Sequence, residues 1–204
     1  DLDGALQSAR EGQRWVAYLR TIVSRIDYDF FTAIALASAS APGAERSAVE
    51  AELVEKSARL AAHAWSSPGT FGPKSAVLSA EVARFQGRAD APALMRAAIQ
   101  RSSEEGFVRE EAMGHELLAR MLERSGDRAG AAVHVRRAVE RYNRWGATAK
   151  SARLAASVPD LLAPEAEQLA LEHDGKARVE LDVLLEAAEA LSSELVLDRL
   201  LRRV

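Results

Sequence analysis

Apolar residues along this chain recur at intervals of three and four almost throughout, and no stretch alternates in steps of two for long. That spacing returns to the same face once per helical turn, so it predicts an all-α fold. A first helix is expected from Asp3, read as an N-cap, through Leu6 and Ala9. In its long companion, Trp15, Leu19, Ile22 and Ile26 share a face that Phe30, Phe31, Ile34 and Leu36 continue, with a break expected between Ser24 and Asp29. Pro42-Gly43 closes this unit. The next helix, 44–64, is expected to turn Val49, Leu53, Leu60 and Trp65 inward and Glu50, Glu52, Glu55, Lys56 and Arg59 outward. Ser66-Ser67-Pro68-Gly69 ends it, and further helices are predicted over 75–86, 92–105, 107–124, 128–144 and 147–157.

One phrase occurs twice, 39 residues apart: an apolar helix, a turn centred on Gly87 or Gly126, then an alanine-spaced helix (Ala93, Ala97, Ala98; Ala131, Ala132, Ala138). Repeats of that length made of helix pairs stack into solenoids. Gly106 reads as a left-handed helix cap and Gly146 as a stop. The expected organisation is a tetratricopeptide-like α-solenoid of antiparallel helix pairs over 1–158, a Glu- and Pro-rich linker over 159–178, and a C-terminal connector helix over 179–204. In that last helix Leu181, Leu184, Ala188, Leu191 and Leu195 form a seam for a partner helix, expected to make a homodimer. The absent initiating Met and the helical pattern still running at Val204 suggest a piece of a longer protein.

Composition narrows the chemistry. Hydrophobic residues make up 48% of the chain but aromatics only 5%, so much of the core must be alanine and helices can approach closely. With no Cys there is neither a disulfide framework nor a thiolate nucleophile or metal ligand, which suits a reducing compartment. No run approaches the roughly 18 apolar residues of a membrane span, and a cytoplasmic location without membrane contact is expected. A net charge of -3 supplies no field for phosphate backbones, so nucleic acid is not an expected partner.

Catalytic and metal motifs are thin. Gly69 to Ser75 echoes a phosphate-binding loop, but Pro73 removes an amide from the cradle and no strand precedes it, so an interhelical loop with Pro73 near a helix start is expected. His63, His115, His134 and His173 are scattered and lack metal-binding spacing. Glu104, Glu105, Glu110 and Glu111 read as solvated or helix-capping charges, and Arg136, Arg137, Arg141 and Arg144 as one solvated face. No cofactor is expected. Tyr142, Arg144, Trp145 and Lys150 form the most informative polar-aromatic set: Trp145 is expected to pack onto its neighbour, while Arg144 and Lys150, with Arg137 and Arg141, are candidates for an interaction surface.

A series of phrases resembles one family. These are Ala80 to Gly87, Ala98-Ile99, Glu105-Gly106-Phe107 with Glu110-Glu111-Ala112, Glu116 to Arg120, Tyr142 to Ala147 with Ala149-Lys150, and Pro159 to Leu162. The chain resembles, from about Leu53 to its end, the tetratricopeptide-like region of large signalling proteins. Those proteins join a serine/threonine-kinase-like domain, an AAA-type (STAND) ATPase, this helical region, a GAF domain and a histidine kinase. Leu181-Asp182-Val183 and Ala190 to Leu201 are similar to the lead-in of the GAF domain in such proteins. The resemblance implies a non-enzymatic protein-interaction and signal-relay module, touching neighbouring domains of the parent and a protein or peptide partner. It carries over no catalytic residue. The alternative is a helical domain of a STAND-type regulator that senses a small molecule or peptide, recognisable by an enclosed apolar pocket rather than an open groove.

Overall fold

A computed structural model describes residues 2–18, 21–38 and 43–163. All regular structure among them is helical: α1 (Leu2–Gly12), a 3-10 segment (Gln13–Tyr18), α2 (Ile22–Ser38), α3 (Gly43–Ser66), α4 (Pro68–Phe85), α5 (Ala91–Glu104), α6 (Val108–Arg124), α7 (Arg128–Trp145), α8 (Thr148–Ser157) and the single turn α9 (Pro159–Leu162). The connector seam and most of the predicted linker lie outside the described residues.

From α4 to α8 the helices are joined by one kind of turn. Gly87, Gly106, Gly126 and Gly146 each take positive φ, between 73° and 91°. The amide of the residue after each glycine reaches back to a carbonyl in the last helical turn, as in Arg88 to Ala83 (3.0 Å), Phe107 to Ser102 (2.7 Å), Asp127 to Leu122 (2.9 Å) and Ala147 to Tyr142 (2.9 Å). A residue without Cβ enters this left-handed conformation without the usual steric cost, and the capped helix is followed at once by one running back along it. Successive helices therefore pack as neighbours, and α4 also touches both α2 and α6. The two halves of the sequence repeat differ at their caps. Asp127 accepts a hydrogen bond from the Gly130 amide at 2.8 Å, whereas Asp90 turns its carboxylate to Arg88 instead.

Fully buried Phe30, Leu53, Val77, Leu78, Met95 and Leu118 connect α2 to α6 through one apolar core, and Ala98 and Ala131 let helices come close. Gly114 serves the same end, since a Cβ there would lie 2.7 Å from Ile99 of α5.

Several expectations are corrected. Helix α2 is continuous through 24–29, where a break was expected. Helix α4 begins at Pro68 rather than Ser75, because proline suits a first turn, and Pro73 is accommodated one turn inside it. The missing bond falls at the carbonyl of exposed Gly69, which is free to tilt toward water. Trp65 is 90% exposed, because the inward stripe of α3 passes through Leu53 and Leu60 to Ala64. Lys56 is buried rather than outward, 3.1 Å from Asp29. Glu110 and Glu111 are buried too, each drawn in by an arginine. The single turn α9, at the start of the stretch read as a linker, places Leu161 in the core.

Candidate functional site

At 100° per residue, α6 shows two polar-lined faces about half a turn apart, one through Arg109, Met113, Glu116 and Arg120, the other through Glu111, His115 and Leu122. Each lines a hollow.

On the first face a groove of about 560 Å³, open along one side, runs between α2, α6, α7 and α8. Its floor is apolar: Phe31 and Ile34 of α2, Met113 and Leu117 of α6. Trp145, the last residue of α7, is half-exposed on its rim, because it lies beyond the stripe of α7 that Ala131, Val135, Ala138 and Tyr142 commit to the core. The expectation that Trp145 packs inward is thus corrected; Tyr142 does so instead, at 2% exposure.

Glu116 organises the polar part of the groove. The Tyr142 hydroxyl donates to its Oε2 at 2.7 Å, Lys150 Nζ to its Oε1 at 2.8 Å, and Arg120 one turn along α6 pairs with it as well. Burial alone would raise the Glu116 pKa, but the charges of Arg120 and Lys150 and the bonds from Lys150 and Tyr142 outweigh it and hold the carboxylate ionised. Burial, followed by the charge and hydrogen bond of Glu116, pushes the Tyr142 phenol up, so it remains a donor. One carboxylate between two cations leaves a surplus positive charge on an apolar floor.

At the α2 side the Arg109 guanidinium lies 5.2 Å from the Phe31 ring centre and 5.9 Å from that of Trp145, held by Glu110 at 2.7 Å. Behind it, buried Lys74 pairs with Asp27 at 2.8 Å and faces Glu110 at 3.6 Å. The lysine of the phosphate-loop echo is therefore a structural cation joining α2, α4 and α6. A second hollow of about 260 Å³ shares Ser38, Leu117 and Arg120 with the groove and extends it to Arg84 and Arg124. Arg84 is neutralised by Glu81 at 2.7 Å, while Arg124 has no ion pair among the described residues.

The second face borders a cleft of about 710 Å³ between α5, α6 and α7. Here two histidines expected to be scattered stand together: His115 and His134 stack with centroids 5.1 Å apart and share a hydrogen bond between their Nδ1 atoms at 2.8 Å. Burial first, then the neighbouring His134, Arg137 and Arg141, lowers the His115 pKa to about 3, so the ring is neutral at ordinary pH. No group of three or more potential metal ligands occurs among the described residues.

The four predicted surface cations are thereby divided. Lys150 belongs to the groove, Arg137 and Arg141 line the opposite cleft, and exposed Arg144 lines neither. Arg141 is also tied to Glu111 at 2.8 Å and Glu140 at 2.9 Å, and so is not a free solvated charge. Sequence reading missed Glu116 and Arg109 as site residues. The available signal was a carboxylate at position 116 within the inward run Met113, Leu117 and Ala119, followed one turn later by Arg120.

Comparisons with protein-family models, curated proteins and solved structures give no match to this chain.

Proposed function

We propose that this chain is a non-catalytic, tetratricopeptide-like α-solenoid module that binds a protein segment in the groove between α2, α6, α7 and α8. The observation that carries the reading is an open, apolar-floored groove in which buried Glu116 holds Arg120 and Lys150 in place yet leaves positive charge in excess. Such a surface suits a peptide that presents an apolar anchor flanked by carboxylates, with the cations setting register and encounter rate. An enclosed pocket would favour the alternative of a small-molecule sensor, and this hollow is only partly enclosed. The turn spacing of 39 residues between Gly87 and Gly126, and 40 between Gly106 and Gly146, supports stacked helix pairs. By its sequence resemblance the module belongs to a cytoplasmic sensor kinase, where it relays the state of an upstream ATPase region to a downstream sensory and histidine-kinase region.

The test is a fluorescence titration of the full chain with leucine-containing acidic peptides and with basic peptides of the same apolar pattern. Saturable binding of the acidic series, weakened at least about tenfold by Ala35→Phe in the groove floor, is expected for an anchor displaced from its pocket. Equal binding of both series, or indifference to Ala35→Phe, would overturn the proposal.

A further inference from the structure

We propose that the groove is occupied in the unliganded chain by the chain's own segment 179–198, so that an outside ligand binds by displacing it. This inference rests on the groove reading and supplies its regulation. Residues 164–204 carry ten carboxylates against five Lys and Arg, while 22 basic and 20 acidic residues precede them. Within 179–198 there are six carboxylates and neither Lys nor Arg. The chemistry that the groove selects is the chemistry of this segment: a stripe of Leu181, Leu184, Ala188, Leu191 and Leu195, with Glu180, Glu194 and Asp198 along one flank in a helical register.

The complementary charges lie along the groove. Arg120 and Lys150 share a single carboxylate, and Arg124 at the far end has none among the described residues. Connectivity favours the same occupant. The chain leaves the described fold after α9, which packs against α7, the helix that carries Tyr142 and Trp145 into the groove. A tether of some fifteen residues holds a segment at roughly millimolar effective concentration, well above that of a second copy at micromolar protein. A leucine stripe that must be covered therefore meets this groove before it meets its twin. Ligand binding and release of 179–198 are then one event, which gives the relay a physical form: what fills the groove frees the segment leading onward.

The absence of cysteine in the chain makes the test direct. In the full chain, Ala35→Cys is combined with Leu184→Cys on the stripe or, as control, with Glu186→Cys on the opposite side, and treated with a short bismaleimide at micromolar protein. Expected is cross-linked monomer in several-fold higher yield for position 184 than 186, reduced several-fold by Arg124→Glu. Equal yields, no dependence on Arg124, or cross-linked dimer in place of monomer would overturn the inference. Titrating the Leu184→Glu/Leu191→Glu full chain with the acidic leucine peptide separates the two levels. Binding about tenfold tighter than to wild type is expected once the competitor is removed. Unchanged affinity removes the resident segment and leaves the groove reading standing, whereas no binding even to this variant removes both.

Discussion

Replacing Glu116 by Gln keeps the side chain's shape and one acceptor but deletes the charge that three donors share. Arg120 and Lys150 are each more than two-fifths exposed, so water screens their pairs and each contributes only about 0.2–1 kcal/mol. Tyr142 is different, because its hydroxyl is buried and has no solvent to fall back on. Exchanging its ionised acceptor for a neutral one costs about 1 kcal/mol, since charge-assisted bonds are roughly twice as strong. Glu116→Gln is therefore expected to destabilise by about 1.5–3 kcal/mol, and Tyr142→Phe by a similar amount. The double variant should lose about 1 kcal/mol less than the two single losses together, the part that the residues share. Urea unfolding followed by circular dichroism measures this as a change of midpoint at constant slope. A Glu116→Gln chain within about 0.5 kcal/mol of wild type, or singles that add to within about 0.3 kcal/mol, would show that Glu116 does not organise this site.

Three further outcomes follow from the same structure. His115 titrates at about 3 in the fold against 6.5 when free, so the unfolded chain takes up the proton first; stability should hold above about pH 6.5 and fall below it, by up to about 2 kcal/mol at pH 5. His115→Phe should flatten that fall in urea titrations between pH 7 and 5, and an unchanged slope would contradict a neutral buried ring. Gly126→Ala forces a Cβ into φ 87° and should cost about 1–2 kcal/mol, whereas Gly69→Ala, where a Cβ meets nothing, should be neutral or stabilising by up to about 1 kcal/mol. If both variants melt alike, the left-handed turn is not what holds α6 to α7.

Local signals carried far along the chain. The bounds of α5, α6 and α7 fall within a residue or two of those read from spacing and glycine position, because caps and left-handed turns are properties of a few adjacent residues. What spacing could not convey was pairing between distant residues. Lys74 reads as part of a loop until Asp27, 47 residues earlier, is placed beside it, and the role of Glu116 shows only when Tyr142 and Lys150 arrive on later helices. His115 and His134 meet only because α6 and α7 run alongside each other in one register. Trp65 misled for the opposite reason: an apolar residue at a helix end is free to face water, and nothing in the local pattern says otherwise.

The most direct measurement uses Trp145, which stands half-exposed on the groove rim. With Trp15→Phe and Trp65→Phe it is the sole tryptophan of the full chain, and its fluorescence reports the groove alone. In the Leu184→Glu/Leu191→Glu chain, whose own segment no longer fills the groove, expected is a saturable blue shift on adding an acidic, leucine-bearing peptide, weakened by salt and shifted at least about tenfold to higher peptide concentration by Ala35→Phe. Peptide binding that leaves Trp145 emission unmoved would place the interaction elsewhere on the molecule and contradict the groove as its site.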